Sequence, residues 1–391
     1  MMKNKILFIC TGISKELSKG GFSGGEVRLA EIIRGALKNN WETHLLVSSG
    51  GETFCRIFNL KNVITYNLFQ KRNYAGKLDY VFLSLKLLFW IPKQLKKFRE
   101  GVIYSANELL WDIIPALKLK CMSKKIKWAA VVHWVPGLKF WRRQESKLIY
   151  SLLFLIAERI SVLLIKYFAQ TIFAVSETTA EQLYKLKITH RKIFPVKCGI
   201  HLQKINHLAS QIHEKKYTAV FMKRIQAVKG VFDLIPIWQQ VMQKNPNAQL
   251  IIIGGGEDEK ALRTRIKEQK LEKNILFLGP ILDFECKIKT LSQARLFILP
   301  SYEENWAIVI GEAMACRLPV IAYALPALTM VWQDNFISVP VGKKDEFAMK
   351  INHYLKNDLL RKKQAEAGYQ YVQQFDWNKI AQTEINLLKK L

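Results

Sequence analysis

Two carboxylates eight positions apart, Glu304 and Glu312, stand in the run Ser301-Tyr-Glu-Glu-Asn-Trp-Ala-Ile-Val-Ile-Gly-Glu-Ala-Met-Ala-Cys316. Apolar Leu296-Phe-Ile-Leu-Pro300 precedes this run and Pro319-Val-Ile-Ala322 follows it. The pattern reads as a strand passing into a helix, with Glu304 where the strand ends and Glu312 near the helix start. Carboxylates accept hydrogen bonds from hydroxyls, so the pair suits a polyhydroxylated ligand better than a bare phosphate. The backbone N–H groups of Asn305, Trp306, Ala307 and Ile308 fall at the helix start, where a phosphate can dock. Arg224 and Lys229 lie in Met222-Lys-Arg-Ile-Gln-Ala-Val-Lys-Gly230, between a strand end and a helix start. Arginine chelates phosphate oxygens in a fork, and lysine adds a mobile point charge. Gly24 and Gly25 close the loop Lys19-Gly-Gly-Phe-Ser-Gly-Gly25, which can hold an oxyanion on backbone N–H groups. His133 follows the apolar run Trp128-Ala-Ala-Val-Val132, placed to donate a hydrogen bond at a strand end. A lone histidine is more often structural, and two cations among sixty are more often solvated. Their position at strand ends singles these out.

The elements that must position these groups alternate between strand and helix in both halves, the sign of doubly wound parallel sheets. In the first half, strands are expected at 5–10, 43–47, 101–104, 128–132, 171–175 and 192–196. A helix over 26–38 follows the glycine loop, and Ser176 caps a helix over 177–185. In the second half, strands are expected at 219–222, 249–254, 275–278, 296–299 and 320–322. Helices are expected over 232–243 and 259–270, with a last one over 358–391 broken near Phe375-Asp376. In such a fold ligands bind beyond the carboxyl ends of the strands.

The segment from Ser301 resembles the E-x7-E signature of retaining glycosyltransferases of the family-4 type, down to Glu-Ala-Met-Ala-Cys-x-Leu-Pro-Val-Ile-Ala. Met222–Gly230 resembles the family's Gly-Arg-Leu-x-x-x-Lys-Gly, with Lys223 in place of the usual Gly. Gly24-Gly-x-x-Arg-Leu-Ala30 resembles its glycine loop, and Phe277-Leu-Gly-Pro-Ile281 the strand and loop whose backbone meets the nucleobase. The resemblance implies a GT-B fold, two Rossmann-like α/β domains facing across a crevice. The expected domains are 1–205 on the acceptor side, 206–365 for the nucleotide sugar, and a helix over 366–391 crossing back. It implies that Arg224 and Lys229 bind the donor diphosphate, with Gly24, Gly25, Ile281 and Asn305–Ile308 also on the donor. Glu312 would hold the ribose, Glu304 the donor sugar, and His133 the reacting centre. The implied activity is transfer of a sugar, with retention, from a nucleotide diphosphate sugar to a hydroxyl acceptor in polysaccharide, lipopolysaccharide or glycolipid synthesis. No cofactor and no metal are expected. Two departures are an Arg at 317 where the family has Gly, and Ala324-Leu-Pro-Ala-Leu328 where it has Gly-Gly-x-Pro-Glu.

The 391 residues carry a net charge of +28. Residues 1–200 hold 33 Lys/Arg and 13 Asp/Glu, or +20, and residues 201–391 hold 27 and 19, or +8. The excess gathers in 93–99, 118–127 and 139–147. Such surfaces favour anionic lipid, nucleic acid or a phosphorylated substrate. Phe82, Leu85, Leu88 and Phe89 recur at helical spacing beside Trp90 and that first basic cluster, the composition of a helix resting on a membrane. The apolar stretch 148–165 is interrupted by Glu158-Arg159, which argues against a span. Six scattered cysteines read as buried free thiols in a reducing compartment. These features lead to the expectation of a cytoplasmic protein, or one peripheral on the inner face of the membrane. Its expected partners are a nucleotide-sugar donor, a glycan or lipid-linked acceptor and an anionic membrane. The competing readings are a basic nucleic-acid-binding protein and an inactive relative. No zinc spacing, aromatic RNA-recognition motif or basic heptad helix supports the former, and nucleic acid is not expected.

Overall fold

A computed structural model describes residues 4–13, 24–68, 86–88, 93–135 and 148–391. The chain divides into two compact units, Met1–Lys197 with Asn378–Leu391, and Cys198–Trp377.

The first unit is a parallel sheet of seven strands in the order β3-β2-β1-β4-β5-β6-β7. These are β1 Lys5–Ile9, β2 Glu42–Val47, β3 Val63–Asn67, β4 Gly101–Ser105, β5 Ile126–Val132, β6 Thr171–Ala174 and β7 Ile193–Pro195. Its helices are α1 Gly24–Lys38, α2 Gly51–Ile57, α3 Leu110–Met122, α4 Leu148–Phe168 and α5 Glu177–Lys185, joined by the returning α14 Trp377–Leu388. Side chains alternate across a strand, so β1 feeds two cores. Ile6 and Phe8 pack with α1 and α14, while Leu7 and Ile9 pack with α3 and α4. Ser176 caps α5, accepting from the Thr179 N–H at 3.1 Å. α14 is fixed by a buried ion pair between Glu384 and Arg28 of α1. Tyr104 joins both, accepting from Arg28 at 2.6 Å and donating to Glu384 at 2.5 Å.

The second unit is a six-stranded parallel sheet, β10-β9-β8-β11-β12-β13. Its strands are β8 Tyr217–Met222, β9 Leu250–Ile253, β10 Ile275–Gly279, β11 Ala294–Leu299, β12 Val320–Tyr323 and β13 Ile337–Val339. The helices are α6 Leu202–Ser210, α7 Leu234–Lys244, α8 Glu259–Glu268, α9 Phe284–Ser292, α10 Ile308–Ala315, α11 Pro326–Trp332, α12 Lys344–Lys356 and α13 Asp358–Val372. The connections run outward in opposite directions from the paired strands β8 and β11. Their carboxyl ends therefore form the switch point where open α/β sheets bind ligands.

Several expectations need correcting. The unit boundary lies at 197/198 instead of 205/206, because α6 packs on α9 and α10 of the second unit. The stretch that returns starts at Asn378 and not at 366, since α13 packs on α10 and α12. Residue 376 still belongs to the second unit, where Ile200 and Asp376 form a parallel bridge. Strands β3 and β13 and several helices, α2 and α3 among them, were not anticipated. β3 is a half-exposed edge strand, preceded by the positive-φ residues Asn59 and Asn62, and its exposure leaves it without a continuous apolar run. Cys121 and Cys286 are exposed, unlike the other four thiols. Residues 82, 85, 89, 90 and 139–147 lie outside the described residues, as does 19–23 of the glycine loop. No helix among the described residues is long and apolar enough to cross a membrane.

Candidate active site

Glu304 lies just beyond β11, its side chain only 4% exposed. Lys223, the first residue after β8, places Nζ 2.8 Å from Glu304 Oε2. Lys229 places Nζ 3.2 Å from Oε1 and donates to the Glu303 carbonyl at 2.5 Å. Ser301 donates to Oε1 at 3.0 Å. Burial alone would raise the Glu304 pKa, but the Lys223 and Lys229 ammoniums outweigh it and hold the carboxyl below its ordinary range. Burial likewise lowers Lys229, partly offset by Glu304. The group is thus an ionised carboxylate under two ammoniums. Its two oxygens already accept three donors, so a sugar hydroxyl would have to share or displace one of them.

Two glycines allow these loops to meet. A Cβ on Gly230 would lie 1.7 Å from the Pro300 carbonyl oxygen, and φ there is +70°. A Cβ on Gly254, at φ +145°, would lie 1.9 Å from the Lys223 carbonyl oxygen. Only glycine accepts such approach and dihedral. With any other residue the β8 loop could not seat Lys229 beside the end of β11.

Glu312 lies in the middle of α10, not near its start. Its Oε1 pairs with Lys287 of α9 at 2.7 Å. Lys287 also lies 5.0 Å over the Phe284 ring. The two glutamates are therefore held by different lysines. Arg224 is exposed, and Ile281 partly so. Ala307, the residue before α10, has left-handed φ of +54°, an uncommon state for a residue with a Cβ. Trp306 is core: its ring packs on Trp332 at 4.6 Å and Phe375 at 5.3 Å, and its carbonyl accepts from Trp332 Nε1 at 2.9 Å. Asn305 and Ile308 are partly buried beside it. Asp233 accepts from both Tyr302 at 2.6 Å and Tyr323 at 2.8 Å, bracing the loop that carries Glu304.

In the first unit Gly24 and Gly25 lie within α1 and not in a loop. His133 follows β5 directly. Its Nε2 is 2.9 Å from the Ala106 carbonyl, which only accepts, so this nitrogen carries the proton and Nδ1 is the acceptor. Burial, and then the Arg28 charge, push the His133 pKa down to about 4, so the ring is neutral at pH 7. Glu108 accepts the His133 N–H at 2.9 Å and is itself pushed up to about 7 by burial.

Sequence reasoning noted Lys223 only as a departure and missed its pairing with Glu304. The one signal was a lysine at a strand end. It missed Lys287 entirely, which nothing local marks. Arg317 has φ +53°, the left-handed position after α10 where glycine is usual. Its guanidinium lies 3.5 Å over the Tyr369 ring and pairs with Glu366. Among the described residues, no group of three or more His, Cys, Asp or Glu could hold a metal ion.

Parallel doubly wound units with a charged switch point at β8/β11 define the chain as a GT-B protein, and solved structures share that fold. A sucrose-phosphate synthase from Thermosynechococcus elongatus has a TM-score of 0.79 at 18% identity, over 99% of both chains. HepE from Anabaena, in complex with UDP-glucose, has a TM-score of 0.72 at 19% identity, over 99% of this chain and 100% of that one. At such identities the likeness is one of fold. Residues 203–371 match the pattern of the Glycosyl transferases group 1. A phosphatidyl-myo-inositol mannosyltransferase from Mycobacterium leprae is 32% identical over 168 residues, 42% of this chain. The match spans 44% of that relative's length.

Proposed function

We propose that this protein is a retaining glycosyltransferase that moves a sugar from a nucleotide diphosphate sugar to a hydroxyl acceptor of a cell-surface polysaccharide, lipopolysaccharide or glycolipid. The cation cluster at the β8/β11 switch point carries this reading. Lys223 and Lys229 both pair with Glu304, and neighbouring Arg224 is exposed, so cations gather where the fold binds ligands. Breaking the bond to a nucleoside diphosphate builds charge on the leaving oxygens. Fixed cations stabilise that charge without reorganising, and this supplies the electrostatic demand without a metal. Exposed Arg224 is available to fork onto phosphate oxygens. Glu312 suits ribose hydroxyls once Lys287 yields or shares it. Glu304, shared with two ammoniums, suits a donor-sugar hydroxyl. His133, neutral with an acceptor nitrogen, suits hydrogen bonding to a sugar and carries no charge. The mycobacterial relative is named for a lipid acceptor and HepE for its UDP-glucose complex, and both support the reading. A donor panel scored by release of nucleoside diphosphate tests it. Glu312→Ala and Arg224→Ala should each abolish transfer with the fold intact. Wild-type turnover in both, at equal folded fraction, would overturn the assignment.

A further inference from the structure

Helix α4 shows an unusual outer face. Ile156, Ile160, Leu163 and Tyr167 are 47%, 44%, 50% and 70% exposed. At 100° per residue these positions fall within an arc of ~60°. Glu158, Val162 and Ile165 lie on the opposite side and are buried. A surface helix normally turns its polar side outward. Here the outward stripe is apolar.

The surroundings of this stripe are basic. α4, α3 and residues 87, 95 and 98 share one core beneath the same side of the sheet, so their outer surfaces form one layer. Lys118 of α3 donates to the Leu87 and Leu88 carbonyls at 3.1 and 2.7 Å, fixing exposed Lys86 and Leu88 beside it. Burial and then the nearby Lys96 ammonium lower the Lys118 pKa. Arg99 donates to the Met122 carbonyl at 3.2 Å, and Lys93, Lys96 and Lys97 are exposed. Glu100 is the one exposed acid among the described residues of 86–127, since Glu108 and Asp112 are buried. An apolar strip bordered by cations complements an interface with anionic head groups over hydrocarbon. A second copy would bring the same cations against these.

We propose that the outer face of α4, with the adjoining cations of residues 86–99 and α3, is a docking surface for an anionic lipid bilayer. It assigns a membrane acceptor to the transferase and to that extent rests on the function proposed above. The assay below needs neither donor nor turnover, so the two readings fail separately. Full-length protein is co-sedimented with phosphatidylcholine vesicles, with and without phosphatidylglycerol. Binding should require phosphatidylglycerol and weaken with salt, leaving a salt-resistant remainder from apolar insertion. Lys96→Gln and Lys97→Gln should each weaken binding about fivefold, the equivalent of about 1 kcal/mol per lysine. The exposed pair Ile160→Glu/Leu163→Glu should remove the salt-resistant part while the urea midpoint stays that of the wild type. Equal binding to both vesicle types, or unchanged binding by the α4 pair, would overturn the proposal. So would an α4 pair that converts a dimer to a monomer with no effect on vesicles, since the face would then belong to a second copy.

Discussion

Glu158 gives the sharpest quantitative test of the first unit's interior. Its side chain is 2% exposed, and Oε2 has no hydrogen-bond partner among the described residues; the same holds for Ser161 Oγ nearby. Burial, and secondarily the Glu108 charge, raise its pKa from 4.5 to about 9. At neutral pH the native state therefore keeps a proton that the unfolded chain has released. A raised native pKa contributes stability that is fully present below the unfolded value and is lost as pH rises toward the native one. Within that window the difference is one proton, and stability falls by about 1.4 kcal/mol per pH unit. Glu158→Gln keeps the shape and has no proton to lose. The unfolding free energy of the variant minus that of the wild type should therefore grow by about 4 kcal/mol from about pH 5.5 to about pH 8.5. Glu108 titrates in both proteins and largely cancels in the difference. Urea unfolding at several pH values, with m held common, reads the quantity directly. Two stability profiles that run parallel across this range would show that Glu158 is ionised in the native state and refute the argument.

Other expectations follow from the same contacts. Glu384→Ala leaves the buried Arg28 guanidinium without its carboxylate and should cost about 3–5 kcal/mol, while Arg28→Met/Glu384→Leu should regain most of it; the check is urea unfolding of both variants. Gly230→Ala must move a Cβ out of the Pro300 carbonyl and should destabilise by about 3 kcal/mol or more, measured as a fall in Tm. Below about pH 6.5 His133 resists protonation in the native state, so its contribution to stability fades as pH falls toward 4. His133→Gln should flatten that acid limb, and an unchanged acid midpoint would count against the neutral ring. Transfer should survive exhaustive chelation, because Lys223, Arg224 and Lys229 supply the positive charge. Loss restored only by magnesium or manganese would show otherwise.

Much was legible in the sequence because it is local. Continuous apolar runs located eleven of the thirteen strands at least in part, missing the edge strand β3 and the short β13. Ser176 followed by Glu-Thr-Thr set a helix start that the structure reproduces residue for residue. The E-x7-E run, the Arg/Lys loop and the strand-end histidine located the groups worth examining, since such signals depend only on spacing along one or two elements. What the tertiary structure alone decided is who meets whom. That Lys223 turns to Glu304, that Lys287 holds Glu312, and that Arg28 meets Glu384 356 positions away are outcomes of strand order and helix packing. The same holds for Trp306, read as part of a ligand loop and found in the core, and for Ile160 and Leu163, whose apolar character predicts burial and whose place on α4 leaves them outside. A period tells which residues share a face; only the packing of every other element tells whether that face meets protein, water or a partner.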